Sequence, residues 1–123
     1  MTTQICEQTE KILFHHLQAF TEGNVDAIID DYKDDSLLIT PDGAVYGRDQ
    51  IKEIYENFFS EVLTPGSSFT LLKQIIKDEV AYIIWEARSS NFHIPQGTDT
   101  LIIRNEKIII QTFSGQILTK MHN

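Results

Sequence analysis

The hydrophobic period of this chain changes at Pro65-Gly66. Before that point three stretches repeat apolar residues every three to four positions, with one short hairpin between the second and third. After it the apolar residues come in β-type runs to the end. A chain that spends its helices first and its long strands afterwards must pack a few helices on an antiparallel sheet, which is the α+β class. In the first stretch Ile5, Thr9, Ile12, Leu13, His16, Leu17 and Phe20 share one helical face. Gly23 stops that helix. In the second, Val25, Ile28, Ile29 and Tyr32 follow the i, i+3, i+4, i+7 pattern, with Asn24 as N-cap and Asp26 in the favourable first turn. In the third, which follows Gly47, Ile51, Ile54, Tyr55, Phe58, Phe59 and Val62 form an apolar stripe opposite Lys52, Glu53, Glu56 and Asn57.

Residues 36–40 and 44–46 flank Pro41-Asp42-Gly43 and read as a hairpin. Residues 69–76, 80–88, 98–104 and 107–118 are rich in Ile, Val, Thr and aromatics and read as strands. Residues 77–79 and Asn105-Glu106 are tight turns, so neighbouring strands run antiparallel. Residues 91–97, with Pro95 and Gly97, read as the longest break within the sheet. One sheet face is covered by the helices. The other keeps apolar residues, Ile83 or Ile84 and Ile109 among them, that a second copy could cover.

Composition excludes several function classes. At 123 residues the chain fits one domain, residues 1–123, with a core of its own. Eighteen Asp and Glu against ten Lys and Arg give a net charge of −8, which repels a phosphate backbone and argues against nucleic-acid binding. No run approaches a membrane span and no secretory signal is read at the N-terminus. Cys6 is the only cysteine, so no intramolecular disulfide can form and a cytoplasmic location is expected. His15-His16 is not a metal-binding spacing, because adjacent helical side chains point about 100° apart. Gly43, Gly47 and Gly66 read as turn glycines, with no phosphate-binding loop among them. No metal or organic cofactor is implied.

The segments Phe20-Thr21-Glu22-Gly23-Asn24-Val25-Asp26-Ala27-Ile28, Tyr32-Lys33-Asp34-Asp35 and Tyr46-Gly47-Arg48-Asp49-Gln50-Ile51 carry a family pattern. It is a helix, a Gly-Asn break, a short helix before a di-acidic turn, and Gly-Arg opening a third helix. Gly97-Thr98-Asp99-Thr100, Ile103 to Ile108 and Gln111-Thr112-Phe113 extend it. The chain thus resembles the nuclear transport factor 2-like superfamily, which includes ketosteroid isomerases, scytalone dehydratase and SnoaL-like polyketide cyclases. The resemblance implies a cone-shaped barrel, a curved and mostly antiparallel sheet packed on three N-terminal helices, often a homodimer paired through its sheets.

Three polar residues fall on apolar faces. By the resemblance, Asp99 matches a pocket acid of ketosteroid isomerases that stays protonated and donates to an oxyanion. Burial away from a cation raises a carboxyl pKa in that direction. The other reading is a loop-end Asp bonded to backbone amides. His16 stands where those isomerases hold an oxyanion-binding tyrosine, and Tyr55 matches a second pocket tyrosine. Both residues could equally be satisfied core side chains. The isomerases' general base is an Asp where Thr40 stands here, and a hydroxyl cannot take a carbon-bound proton unaided. Steroid isomerisation is therefore not expected. Trp85, Tyr32, Phe58, Phe59 and Phe113, with Thr40, are the candidate ligand contacts, though such aromatics also fill cores. Residues 82, 84, 86 and 88 share one face of their strand and 81, 83, 85 and 87 the other, which puts Glu86 beside Arg88. His93 is expected in an exposed loop.

Two classes of function stay open. One is a cofactor-independent enzyme of the isomerase, cyclase or dehydratase kind, holding a small, mainly apolar carbonyl compound and using Asp99, His16 and Tyr55. The other is a non-catalytic ligand-binding or homodimeric association module.

Overall fold

A computed structural model describes residues 2–120 of the chain. Helix α1 runs Thr2–Thr21 and α2 Val25–Ile29. Strands β1 (Tyr32–Thr40) and β2 (Gly43–Tyr46) form the hairpin, and α3 spans Arg48–Glu61. Strands β3 (Ser68–Lys77), β4 (Val80–Arg88), β5 (Phe92–Arg104), β6 (Lys107–Gly115) and β7 (Leu118–Thr119) follow. The sheet order is β2-β1-β6-β5-β4-β3, with β7 paired to β5. Every pairing is antiparallel except β1 with β6. The α+β architecture expected from the change of period is the one observed.

Local chemistry sets the boundaries. Gly23 adopts φ 66°, and the N–H of Asn24 donates to the Ala19 carbonyl at 3.0 Å, closing the end of α1. Asn24 Oδ1 accepts from the Ala27 N–H at 3.1 Å and opens α2. Asn105 and Glu106 both take positive φ, the conformation a two-residue hairpin turn requires. The Thr9 hydroxyl lies 2.6 Å from the Asp78 carbonyl, joining α1 to the β3–β4 turn.

Residues Ala81, Ile83, Trp85 and Ala87 of β4 are buried and alternate with half-buried neighbours. They face the helices, on the concave side of the sheet. Leu13, Ile28, Ile51, Leu101 and Ile108 complete a core in which each is at most 1% exposed. Each such side chain stabilises the fold by roughly 1.5–3 kcal/mol. Register shifts at residues 32–37 of β1, 71–73 of β3, 85–87 of β4 and 102–103 of β5 interrupt the ladders. Bulges of this kind bend and twist strands, and they curve the sheet round α1 and α3.

Four expectations need correction. The second helix ends at Ile29, not Tyr32; Tyr32 instead opens β1, where it pairs with Ile108. Lys33-Asp34-Asp35 is not a helix-ending turn but an irregular stretch of β1, pinned where the Lys33 N–H donates to Ser36 Oγ at 2.8 Å. Residues 92–97 are strand rather than loop. Glu86 lies opposite both Pro95 and Gln96, since Trp85 pairs with Gly97 and Ala87 with Ile94, so the Pro and Gly signals mark a bulge. His93 accordingly sits in β5, its Nε2 2.9 Å from Glu86, which also accepts from Arg88 Nε at 2.7 Å. On the convex face it is Ile84 and Ile110 that share register with Thr98 and Ile102, while Ile83 is buried on the concave side.

Candidate functional site

Between the sheet and helices α1 and α3 lies a cavity of about 500 Å³. Leu17, Phe20, Leu38, Phe58, Ile83 and Phe113 give it an apolar wall. Exposed Pro41, Asp42, Asn57, Glu61 and Ile117 mark its mouth. His16, Tyr55, Trp85, Asp99 and Gln111 place polar atoms along the wall.

Asp99 is 7% exposed. Its Oδ1 accepts from Trp85 Nε1 at 2.7 Å and its Oδ2 from Gln111 Nε2 at 2.7 Å. Strand register explains the first bond. Trp85 pairs with Gly97, two residues before Asp99 on the same face, and the indole lies flat over Gly97. A Cβ at Gly97 would stand 2.5 Å from two indole carbons, so only glycine leaves room for the ring. Phe113 stacks on the indole, with ring centres 5.7 Å apart and planes at 23°. Burial raises the Asp99 carboxyl from its ordinary 3.8 to about 6, against the two N–H donors, which favour the charged form.

The chain of polar contacts continues. The Tyr32 hydroxyl donates to Gln111 Oε1, and the Tyr32 and Tyr55 hydroxyls lie 2.7 Å apart. Tyr55 Oη is 3.4 Å from His16 Nε2. His16 Nδ1 faces Asp31 Oδ2 at 3.8 Å, and the same oxygen lies 2.9 Å from His15 Nδ1 at the surface. Burial, and secondarily His15, lowers His16 from 6.5 to about 4, so the ring is neutral at pH 7. Burial raises both tyrosines and, against the pull of His15, raises Asp31.

The structure therefore brings Asp99, His16 and Tyr55 to one cavity, with Trp85, Phe58 and Phe113 beside them. Thr40 reaches only the mouth, where its Oγ1 accepts from the Asp42 N–H at 3.2 Å. Tyr32 and Phe59, expected as ligand contacts, stand behind the lining. Tyr32 is 1% exposed, holding Tyr55 and Gln111, and Phe59 packs on Phe20 and Tyr55. Neither oxygen of Asp99 is left as a free donor, unlike the protonated acid implied by the resemblance. Gln111 and Asp31 were not singled out from sequence. Strict alternation from Ile108 would turn Gln111 to the opposite face, and the extra residue Ile109 at the register shift returns it to the buried one; Asp31 is masked by its neighbour Asp30. Among the described residues no group of three or more His, Cys, Asp or Glu could hold a metal ion.

Residues 14–110 match the model of the SnoaL-like domain. The chain belongs to the SnoaL-like domain family. Among curated proteins none matches it in sequence. Solved structures share its fold at low identity. A nuclear transport factor 2-like protein of unknown function from Mesorhizobium loti superposes with TM-score 0.76 at 17% identity, over 90% of this chain and 93% of that one. A SnoaL-like protein of unknown function from Burkholderia thailandensis gives 0.73 at 11%, over 89% and 95%. A ketosteroid isomerase-like protein from Erwinia carotovora atroseptica gives 0.66 at 17%, over 89% and 95%. At these identities the likeness is one of fold. No helix among the described residues is long and apolar enough to cross a membrane.

Proposed function

We propose that this SnoaL-like chain binds a small, mainly apolar, carbonyl-bearing molecule in its cavity and moves a proton on it without a cofactor. The observation that carries the reading is Asp99: a carboxyl buried at an apolar wall, held by two N–H donors, in the same cavity as a neutral His16. A carboxyl poised near pH 6 is a better general base than an ordinary one and is still ionised at neutral pH. In this reading the substrate carbonyl accepts from His16 Nε2–H beside Tyr55. Asp99 takes a proton from the adjacent carbon, and the electron pair passes to the carbonyl oxygen as an enolate. A neutral imidazole is a suitable donor there, since it stabilises the developing charge without needing to ionise. Return of the proton to a different carbon isomerises the substrate, loss of a β-substituent dehydrates it, and attack on a second carbonyl closes a ring. Asp99 thus serves as the base, with Thr40 outside the chemistry.

Deuterium uptake from D2O into flat apolar ketones, followed by NMR, tests this. Uptake should rise through pH 6 and fall by roughly 100-fold or more in Asp99→Asn. Ketones that bind without uptake would favour the non-catalytic binding module, and uptake unchanged in Asp99→Asn would remove Asp99 as the base.

The reading also takes the chain as one domain working in the cytoplasm as a homodimer paired through its convex face. There Ile75 pairs with Tyr82, Ile84 with Thr98 and Ile102 with Ile110, and Ile75 is 47% exposed. Light scattering should give a dimer mass at micromolar concentration and a monomer mass for Ile84→Lys.

A further inference from the structure

The buried polar contacts have a direction, and the direction assigns the His16 proton. Each tyrosine has one hydroxyl proton. With Asp99 ionised, Gln111 turns its NH2 to Asp99 Oδ2 and its carbonyl to Tyr32. Tyr32 spends its proton on that carbonyl. The 2.7 Å contact between Tyr32 and Tyr55 then needs the Tyr55 proton. Nothing is left on Tyr55 to donate to His16, so His16 must donate from Nε2. Its Nδ1 is then bare. This is the one polar atom along the path that is fully buried and without a hydrogen-bond partner, and it stands 3.8 Å from another acceptor, Asp31 Oδ2.

A proton placed on Asp99 Oδ2 along the line to Gln111 reverses every one of these bonds. Asp99 then donates to Gln111 Oε1 once the amide turns over. Gln111 donates to Tyr32, Tyr32 to Tyr55, and Tyr55 to His16 Nε2. The ring keeps a single proton: the one on Nε2 leaves to water in the cavity, and another reaches Nδ1 from the side of Asp31 and the exposed His15, so the charge of the ring is unchanged. Both polarities use the same heavy atoms, and the second turns the 3.8 Å contact of Nδ1 with Asp31 Oδ2 from two facing acceptors into a donor facing an acceptor. His16, Tyr32, Tyr55 and Gln111 are each at most 7% exposed, so these bonds are largely shielded from bulk water.

We propose that Gln111 is a positioning residue that couples the two ends of this chain, so that the protonation state of Asp99 selects the tautomer of His16. In the ionised state the site holds a base at Asp99 together with an N–H at His16 Nε2, whose 3.4 Å contact to Tyr55 is long enough for a substrate oxygen beside Tyr55 to share it. With Asp99 protonated and no substrate bound, His16 Nε2 is an acceptor, so only the ionised site presents both the base and the donor to an incoming carbonyl. The charged and titratable groups facing the chain are Asp31, His15, Asp30 and Lys107 at the His16 end. Among the described residues Trp85 and Gln111 are the side chains that hydrogen-bond the Asp99 carboxyl. The inference concerns the same site as the proposed reaction and rests on that reading for its catalytic use. Its readout is a tautomer rather than turnover, so either can fail alone.

Long-range 1H–15N correlation spectra of 15N-histidine-labelled protein report which ring nitrogen of His16 carries the proton. Between pH 8 and 5 the wild type should pass from the Nε2–H to the Nδ1–H tautomer, with the same midpoint as the Asp99 carboxyl followed by 13C. Asp99→Asn presents an NH2 to Gln111 and mimics the protonated acid, so His16 should be Nδ1–H at every pH in that range. In Gln111→Leu the carboxyl should still titrate while the His16 tautomer no longer follows it. An Nε2–H ring in Asp99→Asn, a wild-type tautomer change at another pH, or coupling that survives in Gln111→Leu would each overturn the proposal. Should either variant fail to fold, the coincidence of the two wild-type midpoints decides it.

Discussion

Asp99 and His16 stand at opposite ends of one buried chain, equally removed from water, and are held in different ways. Asp99 is mounted on the sheet, and both its partners come from adjacent strands in register, at 2.7 Å each. His16 is mounted on α1, with contacts of 3.4 and 3.8 Å and one nitrogen without a bond. Strand register fixes geometry to within a fraction of an ångström, whereas a helix docked through side chains retains slack. The same desolvation then acts with opposite sign, raising the acid and lowering the base. The rigid end holds a charge at pH 7, and the slack end avoids one.

The sheet end should be the more brittle. In Gly97→Val the new side chain must displace the Trp85 indole, costing the ring its packing and Asp99 a charge-assisted donor. Overpacking and a lost buried hydrogen bond together predict a loss of about 3 kcal/mol, a fall of roughly 10 °C in Tm. Gly115→Ala meets its nearest atoms at 3.2 Å rather than 2.5 Å and should cost clearly less. Thermal unfolding of the two variants side by side measures the difference. Equal losses would mean that the indole can move aside, and that this end is no stiffer than the other.

The opposite shifts make a second contrast, in pH. Asp99 has a raised folded-state pKa, so the folded form holds its proton longer than the unfolded chain, and stability falls as pH rises from about 4 to 6. His16 has a lowered one, so the unfolded chain binds a proton that the folded form refuses, and stability falls as pH drops from 6.5 to about 4. Each is an effect of about 3 kcal/mol, and in wild type they nearly cancel across that window. Asp99→Asn should leave the His16 slope, losing stability toward acid. His16→Phe should leave the Asp99 slope, losing it toward neutrality. Urea unfolding at pH 4, 5, 6 and 7 reads both. A flat profile in either variant would remove that group from the account.

A third contrast concerns donors. Trp85→Phe keeps the ring stacked on Phe113 but removes the N–H from Asp99 Oδ1. A charge-assisted bond supports the ionised form, so the Asp99 midpoint should rise by about one pH unit, visible by 13C NMR.

How much of this was legible in the sequence follows the same division. Elements whose period repeats over many residues, α1, α3 and β4, could be read with their alternation of faces, and β3 as a strand alone. Gly97 and Pro95 were read as a loop, because their conformational meaning depends on Trp85 and Glu86 across the sheet, which no local window contains. Tyr32 continued a helical pattern by chance; pairing with Ile108 decided its state. Asp99, His16 and Tyr55 stood out because each is polar on an apolar face. Gln111 and Asp31 join them only through contacts 12 and 16 residues distant, at Asp99 and His15. Single polar residues are visible along a chain, but the bonds between them are made by tertiary register.

The smallest expected effect bears on the slack end alone. The His15 side chain is 52% exposed, and its Nδ1 lies 2.9 Å from Asp31. Only the His15 side of the pair is exposed, and solvent there limits its contribution to about 1 kcal/mol, so His15→Ala should change Tm little. It also removes the charge that depresses His16 and the donor that holds Asp31 down. The pKa values of both His16 and Asp31 should therefore move up, while Asp99, separated by two tyrosines and an amide, keeps its midpoint at about 6. NMR titration of the three groups in one variant settles whether the ends titrate as distinct sites. If Asp99 moves as well, charge at the surface reaches the cavity wall through the chain, and the two ends must be treated as one coupled group.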